Sequence, residues 1–141
     1  CIELSQYIYI FLWTQNIMLF KDLWNFVVLG IIVILVDSLY LSSVSTFFGD
    51  IVQTIQNQKL KLDMTATVLC YLLIVVLLFS FVQYETHSLR YAFFLGACVY
   101  GIFELTNKAI FTKWPWSAVV IDTMWGGILF ASSVGVYRAI I

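Results

Sequence analysis

The 141-residue chain is 62% apolar and 11% charged, with a formal net charge of −1 and a mean hydropathy of +0.98. A water-soluble globule of this size buries only about 60–70% of the surface its chain exposes, too little to hide that much apolar area; a bilayer removes the difficulty by replacing water around the outward faces. The charge balance leaves no basic surface for nucleic acid, and one proline beside 18% aromatic residues excludes a disordered chain.

The chain opens at Cys1, and its first Met is Met18, just before the polar pair Lys21-Asp22. Residues 1–17 are apolar but carry Glu3, Gln6, Gln15 and Asn16, and they lack the basic start and small-residue cleavage site of a secretory signal. Two readings stay open: an interfacial helix within a 1–22 extension, or sequence upstream of a start at Met18.

A crossing helix needs about 20 mostly apolar residues. Met64 to Tyr84 supplies them without interruption, between Asp63 and Glu85. Leu23 to Phe48, Tyr91 to Phe111 and Ser117 to Ile141 have the length but enclose Asp37, Glu104 and Asp122 respectively. The expected fold is therefore an all-α membrane bundle of four spans, residues 23–48, 64–84, 91–111 and 117–141. Between them, Gly49 to Asp63 places Ile51, Val52 and Ile55 at helical spacing among glutamines, which suits a helical extension near the headgroups. Glu85 to Arg90 reads as a charged loop, and Thr112 to Trp116 as a tight connection in which Pro115 starts the next helix.

Aromatic residues mark the span ends. Trp24, Trp114 and Trp116 are expected as interface anchors, and Tyr84, Tyr91 and Tyr137 stand at similar positions. Lys21, Arg90 and Arg138 fall on one side against Lys59, Lys61 and Lys113 on the other, so the positive-inside rule assigns no orientation. Gly127, Ala131 and Gly135 on the last span, and Ala97 with Gly101 on the third, form small-residue ladders that let helices of one chain approach closely.

The acids carry the sharpest expectation. Four spans put the 49–63 and 112–116 connections on one side of the membrane. Counted from that side, Asp122 lies about 10 Å deep, Glu104 about 12 Å and Asp37 about 16 Å. A carboxylate facing lipid there would cost about 2.5–3.5 kcal/mol, so all three are expected to turn inward and meet. Tyr40 follows Asp37 at i+3, Asn107 and Lys108 follow Glu104 at i+3 and i+4, and Trp125 follows Asp122 at i+3, each on its acid's helical face. The predicted polar cluster is thus Asp37, Tyr40, Glu104, Asn107, Lys108, Asp122 and Trp125, with an intrahelical Glu104–Lys108 ion pair as the favoured pairing.

The same segments, Asp37-Ser-Leu-Tyr40-Leu41, Tyr100-Gly-Ile-Phe-Glu-Leu-Thr-Asn107-Lys-Ala109, Lys113-Trp114-Pro115 and Asp122-Thr-Met-Trp125-Gly126, occur in that order. From about Leu23 onward the chain resembles a membrane-protein family known as domain of unknown function 2177. Members of that family show a D-x-x-W-L-G-like first span, Y-G-x-x-D-L-T-N-x-A, a W-P turn and D-x-x-W-G. Tyr40 and Ser42 stand where Trp and Gly are usual, and Glu104 where Asp is usual. The resemblance implies a four-span fold and carries no activity.

Complete catalytic constellations are missing. His87 is the only histidine and sits in the charged loop, which leaves a histidine-based metal site or a Ser-His triad unsupported. A G-x-G-D segment, which an intramembrane aspartyl hydrolase would carry, is absent, as is a phosphate-cradling glycine loop. Cys1, Cys70 and Cys98 have apolar neighbours and no metal-type spacing, so they read as small buried or lipid-facing side chains. No catalytic residue, metal or cofactor is expected. The favoured reading is a structural or accessory component of a larger membrane assembly, such as an organellar complex or the inner membrane of a virion, with the bilayer and other subunits or further copies as partners. The alternative is a small carrier or proton-coupled transporter built on the intramembrane acids.

Overall fold

A computed structural model describes the backbone of residues 2–82 and 88–141, and the side chains of 20–82 and 88–141. Four helices follow one another: α1 (Ile2–Gln56), α2 (Met64–Val82), α3 (Leu89–Ile110) and α4 (Trp116–Ile140). All four are long and apolar enough to cross a membrane, α1 through its Phe20–Gln56 portion. At 1.5 Å per residue the 19 residues of α2 span close to the ~30 Å hydrocarbon thickness. Tyr84, Glu85 and His87, the charged loop's core, lie outside the described residues, as do Cys1 and the side chains of the N-terminal extension.

The helix boundaries have local causes. Helix α1 runs through Gly49 without a break and stops at Asn57, which takes a left-handed conformation (φ 54°) and returns its N–H to the Gln53 carbonyl at 2.9 Å. Asparagine tolerates this geometry better than most residues with a Cβ, which suits it to end a helix. Asp63 caps α2, its carboxylate accepting the Ala66 N–H at 3.0 Å. Pro115 occupies the N-cap of α4, and its carbonyl accepts the Ala118 N–H at 3.2 Å. Along the faces turned to lipid, Ser38, Ser42, Ser43, Ser80, Thr106 and Ser132 fold their hydroxyls back onto carbonyls one turn earlier. In hydrocarbon these donors have no water to bond, so the helix itself satisfies them.

Packing order differs from chain order. Helices α1 and α2 form one hairpin, α3 and α4 a second and tighter one, and α1 against α4 joins the two. The spatial sequence is α2–α1–α4–α3, and α2 and α3, at the ends of the arc, make almost no contact. Leu29, Ile32 and Val33 of α1 meet Ile74, Val75 and Leu78 of α2 and Leu129, Phe130 and Val134 of α4 in the main core. The Phe26 and Phe79 rings meet edge to face at 5.5 Å, as do those of Tyr100 and Phe130 at 6.4 Å. A second, smaller core forms at the C-terminal end of α1. There Phe47, Phe48, Ile51 and Ile55 pack on Trp114, Ala118 and Val119, and Lys113 Nζ donates to the Thr54 carbonyl at 3.4 Å. The end of α1 and the α3–α4 turn therefore lie on the same side of the molecule.

Small residues set the α3–α4 distance, at positions that overlap the expected ladder only in part. A Cβ on Gly96 would run into the Gly126 carbonyl and stand 2.7 Å from the Phe130 ring, and one on Gly127 would stand 2.6 Å from the Phe93 ring. Gly126 carries the Tyr100 ring directly on its backbone. Gly135 meets only ordinary van der Waals neighbours, and Gly101 is intermediate, with the Thr123 methyl at 3.3 Å. The ladder read from spacing along one helix thus catches Gly127, while the tightest pair, Gly96 with Gly126, depends on how two helices cross.

Gly96→Ala should lower stability by about 2 kcal/mol or more, since the clash is with backbone and cannot be relieved by a rotamer change. Gly49→Ala, with open space around it, should be neutral or stabilise by up to about 1 kcal/mol. Reversible unfolding in mixed detergent micelles, followed by circular dichroism, measures both.

Candidate functional site: an acid–aromatic network across the bundle

Asp37 and Asp122 each stand three residues before an aromatic donor, Tyr40 and Trp125, on helices that run antiparallel. Reversed direction places each acid opposite the other helix's ring. The Trp125 indole N–H donates to Asp37 Oδ1 at 2.8 Å, and the Tyr40 hydroxyl donates to Asp122 Oδ1 at 2.8 Å. Between these bonds the Tyr40 and Trp125 rings stack, 4.3 Å apart and 8° from parallel. One repeated spacing, an acid and then an aromatic at i+3, thus forms a reciprocal clasp between α1 and α4.

The network continues at both ends. On the α2 side, the Tyr71 hydroxyl donates to Asp37 Oδ2 at 2.7 Å. Asp37 is only 6% exposed, and both of its oxygens are taken. On the α3 side, Glu104 is fully buried, and the Trp114 indole N–H donates to its Oε2 at 2.7 Å. Its carboxyl also lies within interaction range of Asp122 and of the Asn107 amide. The second oxygen, Oε1, has no hydrogen-bond partner among the described residues. A polar path therefore runs Tyr71–Asp37–Trp125–Tyr40–Asp122–Glu104–Trp114, touching all four helices and the α3–α4 turn.

Two expected roles change. Lys108 makes no ion pair with Glu104. Its ammonium instead donates to the Trp114 carbonyl at 2.6 Å and sits 5.8 Å from the centre of the Trp116 ring. The carbonyl lies at the open end of the turn, where the long side chain reaches the molecular surface and avoids desolvation beside a buried acid. Trp114 is not an outward-facing anchor: it is 7% exposed and serves as Glu104's donor, because the turn folds it under the end of α1. Tyr137 likewise belongs to the main core. Trp24 and Trp116 are each 62% exposed, and Tyr91 also faces outward. Cys70 and Cys98 are free and exposed.

Tyr71 escaped the sequence reading although a signal for it existed. It is a lone tyrosine inside an otherwise apolar span, about 12 Å from Asp63 at 1.5 Å per residue, the same depth as the acids. Tyr100, one turn before Glu104, stands in the family-like segment but outside the expected cluster. Both lie close enough to Asp37 to feel its charge.

A family model described as predicted membrane protein (DUF2177) matches residues 22–137, which include every member of this network. The chain belongs to that family. No curated protein and no solved structure matches it. The matched DUF2177 region runs from Asp22 within α1 to the last turn of α4 and takes in all four spans.

Trp114→Phe removes the indole donor to Glu104 and should cost about 1–3 kcal/mol, whereas Trp116→Phe, on the outside, should stay within about 0.5 kcal/mol of wild type. In a double-mutant cycle, Asp37→Asn with Trp125→Phe should show a coupling of about 1 kcal/mol.

Proposed function

We propose that this DUF2177 chain is a non-catalytic structural or accessory component of a larger membrane assembly, its intramembrane acids serving to hold the bundle in register. The observation that carries this reading is the allocation of the acids' hydrogen bonds. Each carboxyl accepts from an aromatic donor on another helix or on the turn, the arrangement of a lock more than of an open reaction centre. Hydrogen bonds between helices fix orientation and register where lipid supplies no hydrophobic drive between them. Helix α1 supports the accessory part of the proposal. At 55 residues it is more than twice as long as α2 or α3, giving a rod of about 80 Å that outreaches a bilayer crossing and can meet other subunits. An organellar complex or the inner membrane of a virion would suit such a component.

A second reading, a small carrier or proton-coupled transporter, draws on one observation: Glu104 and Asp122 lie together with one buried oxygen unpartnered. Proton and ion flux in proteoliposomes separates the two, with wild type beside Asp37→Asn, Glu104→Gln and Asp122→Asn. The structural reading expects no flux from wild type and a loss of helical stability of about 1–3 kcal/mol in each variant. Flux that disappears in variants of unchanged stability would transfer the assignment to the carrier. Migration of the native chain free of partners after mild detergent extraction would overturn the accessory part.

A further inference from the structure

The near absence of contact between α2 and α3 leaves an opening in the arc. It is a groove of about 350 Å³, walled by Leu73, Ile74 and Leu77 of α2 and by Val99 and Phe103 of α3. Leu73 and Phe103 are 69% and 59% exposed, so the groove opens sideways onto the hydrocarbon of the bilayer. Its polar members are Asp122, Tyr100 and the thiol of Cys70. Asp122 accepts from Tyr40 through Oδ1, and Tyr100 lines the groove beside it. A volume of this size is at the lower end of those that hold small organic ligands.

Charge specifies the occupant. Asp37, Glu104 and Asp122 gather within one network, and Lys108, one turn beyond Glu104, is held on the Trp114 carbonyl instead. A positive guest would pair with the carboxyl that lines the groove, that of Asp122. An inorganic cation would require a shell of about six oxygen ligands, and the groove offers only those of Asp122 and Tyr100 among apolar walls. A protonated amine on an apolar body matches both halves of the groove, its head meeting Asp122 and the Tyr100 ring and its body lying along Leu73, Leu77 and Phe103.

We propose that the α2–α3 groove is a membrane-accessible binding site for a lipophilic amine in its protonated form, with Asp122 as counter-ion. The proposal goes beyond the structural role of the clasp: Asp122 accepts from Tyr40 through Oδ1, and a guest would meet its carboxyl from the groove side, in competition with the neighbouring Glu104.

The test uses the full chain in phosphatidylcholine nanodiscs and radiolabelled decylamine, with decanol as the neutral analogue of equal length and empty discs to subtract partitioning. The expected result is saturable decylamine binding, at least about tenfold tighter than decanol and weakened at least about tenfold by Asp122→Asn. Leu77→Trp, which fills the groove from its lipid-facing wall, should also abolish the saturable component. Absence of saturable binding to wild type, equal binding of amine and alcohol, or amine binding that persists in Leu77→Trp would each overturn the proposal. Unchanged binding in Asp122→Asn would do so too. If Asp122→Asn does not fold, as judged by circular dichroism, Leu77→Trp and the amine-to-alcohol ratio decide alone.

Discussion

Carboxyl groups inside a bilayer have to find donors within the protein, because lipid provides none and an unsatisfied polar group there costs several kcal/mol. In this chain the donors are aromatic. Two indoles and two phenols reach across helix boundaries to Asp37, Asp122 and Glu104. An aromatic donor suits the setting, since its ring packs as an apolar body while its edge supplies one N–H or O–H. The same side chains that would otherwise line a hydrophobic core thereby neutralise the polar burden of the acids. Helix positions elsewhere follow from where these rings must lie.

The clasp between α1 and α4 shows how strongly direction matters. An acid with an aromatic donor three residues later is unremarkable on one helix. On two antiparallel helices at the same depth, the two copies become complementary, and the rings that deliver the hydrogen bonds also stack on each other. On parallel helices the acids would face acids at the same level. The clasp accordingly seats the hairpin of α1 and α2 on that of α3 and α4, and the glycine contact at Gly96 and Gly126 draws α3 tightly onto α4. Helix α2, held by apolar packing on α1 and by the polar tie from Tyr71, is left at the margin, which is why the open groove lies beside it.

Charged groups divide by reach. Lys108 and Lys113 have stems long enough to carry their ammonium groups to backbone carbonyls at the membrane-side turn and at the end of α1. Short acids cannot extend in that way, so Asp37, Glu104 and Asp122 take their donors where they stand. This difference explains why a helical i, i+4 spacing between Glu104 and Lys108 does not become an ion pair.

Much of the architecture was legible in composition and spacing. Four apolar stretches of crossing length, the acids inside three of them, and the even number of spans suffice to place Asp37, Glu104 and Asp122 in one half of the membrane, because helix rise converts residue counts into depth. The identity of the partners was not legible. Depth says which residues share a level, whereas contact depends on rotation about each helix axis and on which helices become neighbours. Those are decided by packing between segments far apart in the chain. Thus Tyr71 joined the network, Trp114 turned inward beneath α1, Lys108 turned away from Glu104, and the closest glycine pair fell at Gly96 and Gly126. The sequence by itself determined a membrane bundle with buried acids at a common depth; the tertiary structure alone decided which donor serves each acid and that α2 and α3 stand apart.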